Sequence, residues 1–578
     1  MRIKNFLLIC FLGFTALCYS QEKKGVTRIS SEVKDHIKTR VDNGLNVSIA
    51  VGYVDGDHVE FYNYGQSALK NGFEVNEHSI YEIGSISKVF TTIMLSEMVL
   101  LDKMKLTDPI KTYLPSTIAV PTRNSKEITL FDLATHSSGL PRMPNNFSPT
   151  NPLNPYADYT IDLAYEFMSN HELTRDIGSL FEYSNYGMGI LGHTLERISG
   201  MSYEELMIAR IADPLNMNNT RIVFTDKMKK NLARAHSNGR EVENWDIPAL
   251  AGAGAIRSST SDMLKFLKAN TTTNKSTLNK AMKKSHQIAY TNTEQDFEMG
   301  LGWHYVNSDS KIVWHNGGTG GYRAFAGFVE GTQKGVVVLT NSTVSVDAIG
   351  LKLLDNTRNL VMPKLPISRL IEEEINANGI ESGIALYRKT KTLDDSTYDF
   401  SEGVLNSLGY KYLQDEKLNV ALEIFKLNVE MFPEASNPYD SLGEGYLKLA
   451  DTVNSITNYK KSIELNSGNS NAIQILKDLN VDTTSLIETI EVPIETLETY
   501  VGKYALTPNF IITVTREDQQ LFLQATGQPK FEVYPSSQTK FYLKVVEANI
   551  VFNSNKTGTI ISLTLNQGGQ SPTGKKIE

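Results

Sequence analysis

The chain has 578 residues, 40% hydrophobic and 21% charged, which describes folded globular protein too long for one ordinary core; three or four structural units are expected. Its 57 Lys and Arg against 65 Asp and Glu leave a net charge of −8, which argues against nucleic acid as a partner. Both cysteines, Cys10 and Cys18, lie at the N-terminus, so cysteine catalysis and thiolate zinc sites are excluded from the remainder.

The first twenty residues read as a secretory signal peptide. Arg2 and Lys4 give the positive end, Phe6 to Leu17 the apolar stretch, and Cys18-Tyr19-Ser20 the small residues before cleavage at Gln21. The mature chain, 21 onward, is then expected to be secreted or periplasmic. A membrane anchor is the alternative, but the run is short for a span. A lipoprotein site at Cys18 is disfavoured by bulky Leu17. No later stretch is apolar enough to cross a bilayer, so an integral membrane protein is not expected.

Asn46 to Gln66 alternates apolar and polar residues around Asp55-Gly56-Asp57, a hairpin signal. Ser85 to Lys103 turns helical and is apolar nearly all round, which predicts a helix buried inside a domain. Helices and loops follow to about 270. Lys311 to His315, Ala324 to Val329 and Gly335 to Thr340 then read as consecutive antiparallel strands. Strands at both ends with helices between predict one mixed α/β (α+β) domain over 21–361, closed by its first and last segments.

Residues 362–401 are charged and read as a helical connector. Over 402–485, Leu408, Gly409, Tyr412 and Phe425 recur thirty-four positions later as Leu442, Gly443, Tyr446 and Tyr459. That period resembles tetratricopeptide repeats, and two units need capping by flanking helices. From 490 to 578 the chain alternates again, with strands expected at Phe510 to Val514, Leu521 to Gln524, Phe541 to Val545, Ile550 to Phe552 and Ile560 to Leu565. A small antiparallel barrel or sheet is expected there.

Chemistry concentrates in three places. In Ser85-Ile86-Ser87-Lys88, serine and lysine sit one turn apart on one helical face, where a neutral amine can take the hydroxyl proton and leave a nucleophile. The same spacing occurs at Ser31/Lys34, Ser308/Lys311 and Ser537/Lys540. Ser85 alone opens a buried helix, whose free N–H groups suit an oxyanion and whose burial disfavours charged lysine. On these four residues by themselves, a helix cap with a snorkelling lysine is at least as good a reading. Tyr183-Ser184-Asn185 precedes a small-residue helix, Gly187 to Ile198. Tyr-x-Asn also occurs at Tyr290 and Tyr305, so position singles out Tyr183, not spacing. Trp314-His315-Asn316-Gly317-Gly318-Thr319-Gly320-Gly321 leads from one strand into the next, and its glycines admit close approach of a substrate. A phosphate loop is disfavoured, since no Lys-Ser/Thr follows and no helix begins there.

Taken in order, Ser85-x-x-Lys88, Tyr183-x-Asn185 and His315-x-Gly317 resemble the three motifs of the serine β-lactamase and penicillin-binding-protein family, in the branch of class C β-lactamases, D,D-peptidases and related esterases. The resemblance covers about residues 30–360. Leu106 to Pro115, Thr135 to Pro141, Pro214 to Met217 and Gly300 to Trp303 support it. It implies an antiparallel sheet flanked by helices and covalent hydrolysis without metal or cofactor. Ser85 would be the acylated nucleophile, Lys88 its base or base partner, and Tyr183 the proton shuttle. Asn185 would bind a substrate amide, and His315 and Gly317 would line the cleft from an edge strand. The N–H groups of Ser85 and Gly318 would form the oxyanion hole, and His136 is expected to be structural. Histidine replaces the Lys of Lys-Thr-Gly, which points towards peptidases and esterases and away from efficient antibiotic hydrolysis. A literal Lys556-Thr557-Gly558 reads as a turn. The last module is similar to the lipocalin-like modules of some related peptidases. Small molecules or peptides are the expected substrates, with a protein partner for the repeats conceivable. A peptidase or amidase, an esterase, and a slowly acylating sensor all stay open.

Overall fold

The computed structural model describes residues 27–577, except 174, 238, 293–296, 307–310, 394–395, 467–468, 484–490, 508–509, 527, 529, 544–547, 556–557 and 568–570. The signal-peptide segment and Lys556-Thr557 lie outside the described residues, as does Ser308.

An eight-stranded antiparallel sheet organises the first part of the chain. Its strands are β1 (Ser48–Asp55), β2 (His58–Gly65), β3 (Tyr290–Asn292), β4 (Phe297–Met299), β5 (His304–Val306), β6 (Ile312–Gly318), β7 (Arg323–Val329) and β8 (Lys334–Thr340). The order is β2-β1-β8-β7-β6-β5-β4-β3, so the expected N-terminal hairpin joins the expected C-terminal trio through β1 and β8. The three short strands β3–β5 extend the sheet beyond the sequence expectation.

Both faces of the sheet are buried, which the period of two makes visible. Ala50, Val54, Val337 and Leu339 face one core with the helices, whereas Ile49, Val51, Val336 and Val338 face another. The first core is built around the Ser87–Leu100 helix, whose residues from Ser87 through Met98 are all buried. Helices Asn185–Ser199, Thr260–Thr271 and Thr277–Ser285 contribute Leu191, Phe266 and Met282 to it. The second core takes Val33 and Ile37 of helix Ser31–Asp42 and Ile349 of helix Asp347–Leu354. Continuous apolar strands such as β8 follow from this double burial.

The 362–401 stretch forms two helices, Ile367–Asn378 and Ile380–Thr392. Their Ile371 and Tyr387 share one core with Leu405, Leu408 and Tyr412 of the next helix. Helices Glu402–Gln414, Leu418–Met431, Ser436–Lys448 and Thr452–Leu465 follow. The repeated glycines have a packing reason. A Cβ on Gly409 would lie 2.3 Å from the Phe425 ring, and one on Gly443 3.1 Å from that of Tyr459. Each glycine lets an aromatic of the following helix close onto its backbone.

The C-terminal strands form a closed eight-stranded barrel: β9 (Gly502–Thr507), β10 (Phe510–Glu517), β11 (Gln520–Ala525), β12 (Lys530–Pro535), β13 (Lys540–Leu543), β14 (Ala548–Ser554), β15 (Ile560–Gln567) and β16 (Thr573–Lys576), with β16 returning to β9. Tyr500, from the helix Ile494–Tyr500, stacks on Phe552 at 4.1 Å inside it. Among the described residues no helix is long and apolar enough to cross a membrane.

Candidate active site

Ser85 sits in a 3₁₀ turn, Gly84–Ile86, that feeds directly into the buried helix. The strand before it is anchored deep in the fold. Tyr81–Glu82 pairs with Arg257–Ser258, and the buried Glu82 carboxylate meets Arg257 at 3.4 Å while accepting the Trp245 N–H at 2.9 Å. Helix and anchor together hold the turn from both sides.

The turn abuts the end of β6 with no space between the backbones. A Cβ on Gly317 would lie 1.9 Å from the Ile83 carbonyl oxygen and 3.1 Å from the Ser85 nitrogen. Gly84 has φ +51°, and a Cβ on it would lie 2.7 Å from the Gly318 nitrogen. The backbone nitrogens of Ser85 and Gly318 therefore both lie at this contact.

Contrary to the expectation from sequence, His315 does not lie on an edge strand, since β5 lies beyond β6. However, β5 pairs only with Ile312–Trp314, so His315 to Gly318 run past its end and face the turn.

Lys88 Nζ lies 2.9 Å from Ser85 Oγ and donates to the Ala253 carbonyl at 2.7 Å. Its side chain is fully buried. Burial first, and the Arg142 guanidinium second, hold its pKa well below the usual lysine value. The other Ser-x-x-Lys pairs do not share this geometry. Lys34 pairs with Glu60 at 3.2 Å, and Ser537 Oγ accepts the backbone N–H of Lys540 in a turn.

Tyr183 closes the constellation. Lys88 Nζ stands 4.8 Å from its ring centre. Burial raises the phenol pKa, and a hydrogen bond with Ser85 opposes that rise. His136, at φ +54° just after the helix Leu130–Ala134, stacks on the phenol ring at 4.5 Å. Its Nδ1 accepts the Ser184 N–H at 3.1 Å, which fixes the loop carrying Tyr183.

His315 is buried, and its Nδ1–H donates to the Asn316 carbonyl at 2.5 Å. Its Nε2 is buried without a hydrogen-bond partner among the described residues. His304 of β5 packs against it at 4.7 Å, a neighbour that the motif reading did not single out. Burial pushes His304 down to about 4, and drives His136 and His315 well below the usual histidine value. Three neutral imidazoles thus surround Lys88 and Tyr183.

Asn185 begins the Asn185–Ser199 helix, capped by the Ser184 hydroxyl. Its N–H donates to the Arg142 carbonyl at 3.0 Å, and its carboxamide contacts the Met143 sulfur at 3.9 Å. The structure therefore brings together Ser85, Lys88, Tyr183, Asn185, His315, Gly317 and Gly318. Arg142 and His304 join them. Arg142 directly follows the Thr135 to Pro141 segment and His304 the Gly300 to Trp303 segment; those two neighbours were the available signals.

Residues 33–356 match the protein family described as Beta-lactamase, and residues 488–577 match one described as Domain of unknown function (DUF3471). D-alanyl-D-alanine-carboxypeptidase/endopeptidase AmpH of Escherichia coli (strain K12) is 25% identical over 332 residues, spanning 55% of this chain and 85% of that protein. A beta-lactamase of the same organism is 25% identical over 370 residues, spanning 58% and 93%. Among solved structures, a beta-lactamase/D-alanine carboxypeptidase from Yersinia pestis complexed with citrate shares the fold with a TM-score of 0.50 at 24% identity, covering 57% of this chain and 99% of that one.

Proposed function

The chain belongs to the Beta-lactamase family, a family of serine hydrolases, and from that premise we propose that it cleaves an amide or ester bond through an acyl-enzyme on Ser85. The observation that carries this reading is the 2.9 Å approach of a buried lysine amine, whose pKa burial holds well below the usual lysine value, to the Ser85 hydroxyl. The hydroxyl proton passes to Lys88 as Ser85 Oγ attacks the carbonyl carbon. The resulting oxyanion lies between the N–H groups of Ser85 and Gly318. A phenol whose pKa is raised is a proton donor, so Tyr183 protonates the departing amine or alkoxide as the scissile bond breaks. Lys88 then returns the phenol's proton, restoring both groups. Water attacks the ester in the second half-reaction, giving up its proton through the same pair. Asn185 holds a substrate amide, and His315 and Gly317 line the cleft.

A peptide containing a D-amino acid is the substrate class that the name of the AmpH relative supports. An esterase is the second reading, favoured by neutral His315 where a cation would otherwise grip a substrate carboxylate. A sensor that acylates and does not turn over is a third. Export by the N-terminal segment is part of the proposal, as are tetratricopeptide-like repeats over 402–485 and a lipocalin-like module over 490–578. The repeated glycine–aromatic contacts and the closed barrel support the last two.

The test is covalent labelling with a fluorescent penicillin and with a fluorophosphonate. Wild type should label and Ser85→Ala should not. Labelling of the alanine variant at an equal rate would remove Ser85 as nucleophile. Parallel rates on p-nitrophenyl esters and D-amino-acid anilides separate esterase from peptidase, and a stable adduct without turnover marks the sensor.

A further inference from the structure

Arg142 stands at the mouth of the site without a counter-ion. Its backbone is pinned on both sides. Its N–H donates to the Glu182 carboxylate, and its carbonyl accepts the N–H groups of Asn185 at 3.0 Å and Tyr186 at 3.2 Å. The side chain is exposed, and its guanidinium carbon lies 5.2 Å from the centre of the Tyr183 ring. Among the described residues that guanidinium makes no ion pair and donates no hydrogen bond. The adjacent carboxylate is already taken, because Glu182 is ion-paired with Arg175. Apart from Arg323, the other groups around the nucleophile carry no charge to meet an anion. Arg323, beside Gly318, is a second cation, but its Nη1 donates to the Thr319 and Tyr322 carbonyls at 2.9 and 2.7 Å and it already feels the Asp347 carboxylate.

We infer that Arg142 is a specificity-determining residue that selects substrates whose acyl portion carries a carboxylate. The inference rests on the serine-hydrolase reading above and names the substrate class it would take. The Arg142 carbonyl accepts the Asn185 N–H, so Arg142 stands on the side where Asn185 would receive the substrate amide. A guanidinium presents a planar fork that matches a carboxylate with two parallel hydrogen bonds. It is free to do so here, since no internal partner must be displaced first. Its place over the Tyr183 ring, beside the reacting atoms, sets how far the anion can stand from the scissile carbonyl.

The experiment compares two esters of equal length, mono-p-nitrophenyl adipate and its methyl ester, which differ by one negative charge. For wild type the ratio of kcat/KM, free acid over methyl ester, should exceed one and fall with added salt. Arg142→Gln should lower that ratio by about ten- to a hundredfold, the range of hydrogen bonds to charged groups. Arg142→Lys, which keeps charge and loses the fork, should recover part of it. The ratio cancels any general loss of active enzyme. A ratio unmoved by Arg142→Gln overturns the inference, as does an equal fall on both esters, which would mark Arg142 as support for Tyr183 alone. Wild type that neither labels at Ser85 nor turns over either ester sinks the serine-hydrolase reading itself.

Discussion

Gly317→Ala is the sharpest probe of how the site is assembled. The added methyl would lie 1.9 Å from the Ile83 carbonyl oxygen, where real side chains do not come closer than 3.0 Å. The obstacle is backbone, held by the Glu82–Arg257 anchor on one side and the buried helix on the other. Relief therefore requires β6 and the Ser85 turn to separate by roughly 1 Å, a misplacement that costs on the order of a hundredfold in rate. Because the contact is local to the end of β6, the sheet should survive. Circular dichroism and the melting temperature would confirm a folded protein, while kcat/KM on a p-nitrophenyl ester and the fluorophosphonate labelling rate report the site. Gly403→Ala is the control. It lies in a helix with open space around its Cα, so it should be neutral or slightly stabilising and leave kcat/KM alone. Gly317→Ala with wild-type kcat/KM would refute the claim that β6 and the nucleophile turn are packed backbone to backbone.

Tyr183→Phe should lower kcat by about 10²- to 10⁴-fold without loss of the fold, the span of one general acid–base group, as read by steady-state kinetics. The acylation rate should rise with pH along a limb whose apparent pKa lies well below the ordinary lysine value of 10.5, because only neutral Lys88 accepts the serine proton; Lys88→Arg should abolish that limb. Thermal stability has its own pH signature. Burial lowers His36 and His304 from 6.5 to about 4 and His286 to about 3, so the unfolded chain binds more protons between those values. Melting temperature should accordingly hold above pH 6.5 and fall as pH drops towards 4. Phe90→Ala removes a fully buried ring stacked on Phe266 at 4.3 Å and should cost about 3–5 kcal/mol in denaturant unfolding.

The elements that could be read from sequence are those with a long period or a dense pattern. The helix after Ser85 is apolar on every side because it is buried on every side, and β7 and β8 are continuous apolar runs for the same reason. β3, β4 and β5 span three residues each, too few to display alternation in the sequence. The same holds at the barrel's seam, where β16 has four residues with no large apolar side chain and closes by backbone pairing with β9 and β15. The candidates Ser85, Lys88, Tyr183, Asn185, His315 and Gly317 are singled out by the position and order of their motifs, since each of the first two spacings recurs elsewhere in the chain. What spacing cannot carry is Glu82 meeting Arg257 across 175 positions, or His304 facing His315 across a strand pair. Those depend on the register of chain segments that only the folded sheet brings together.

The electrostatics of the site follow from where carboxylates are kept. Two glutamates flank the candidate-site segments in sequence, Glu82 three residues before Ser85 and Glu182 one before Tyr183. Either one, turned inward and ionised, would hold Lys88 protonated and leave no free amine to accept a proton. Each is instead tied to an arginine, Glu82 to Arg257 and Glu182 to Arg175. The positions that do face the lysine hold imidazoles that burial keeps neutral, with a phenol and backbone amides. With no anion to compensate it among the described residues, burial holds Lys88 well below the usual lysine pKa, and the charge of Arg142 pushes the same way. Among the described residues no carboxylate faces Lys88, so in the proposed reaction burial, with the push of Arg142, makes the lysine a base.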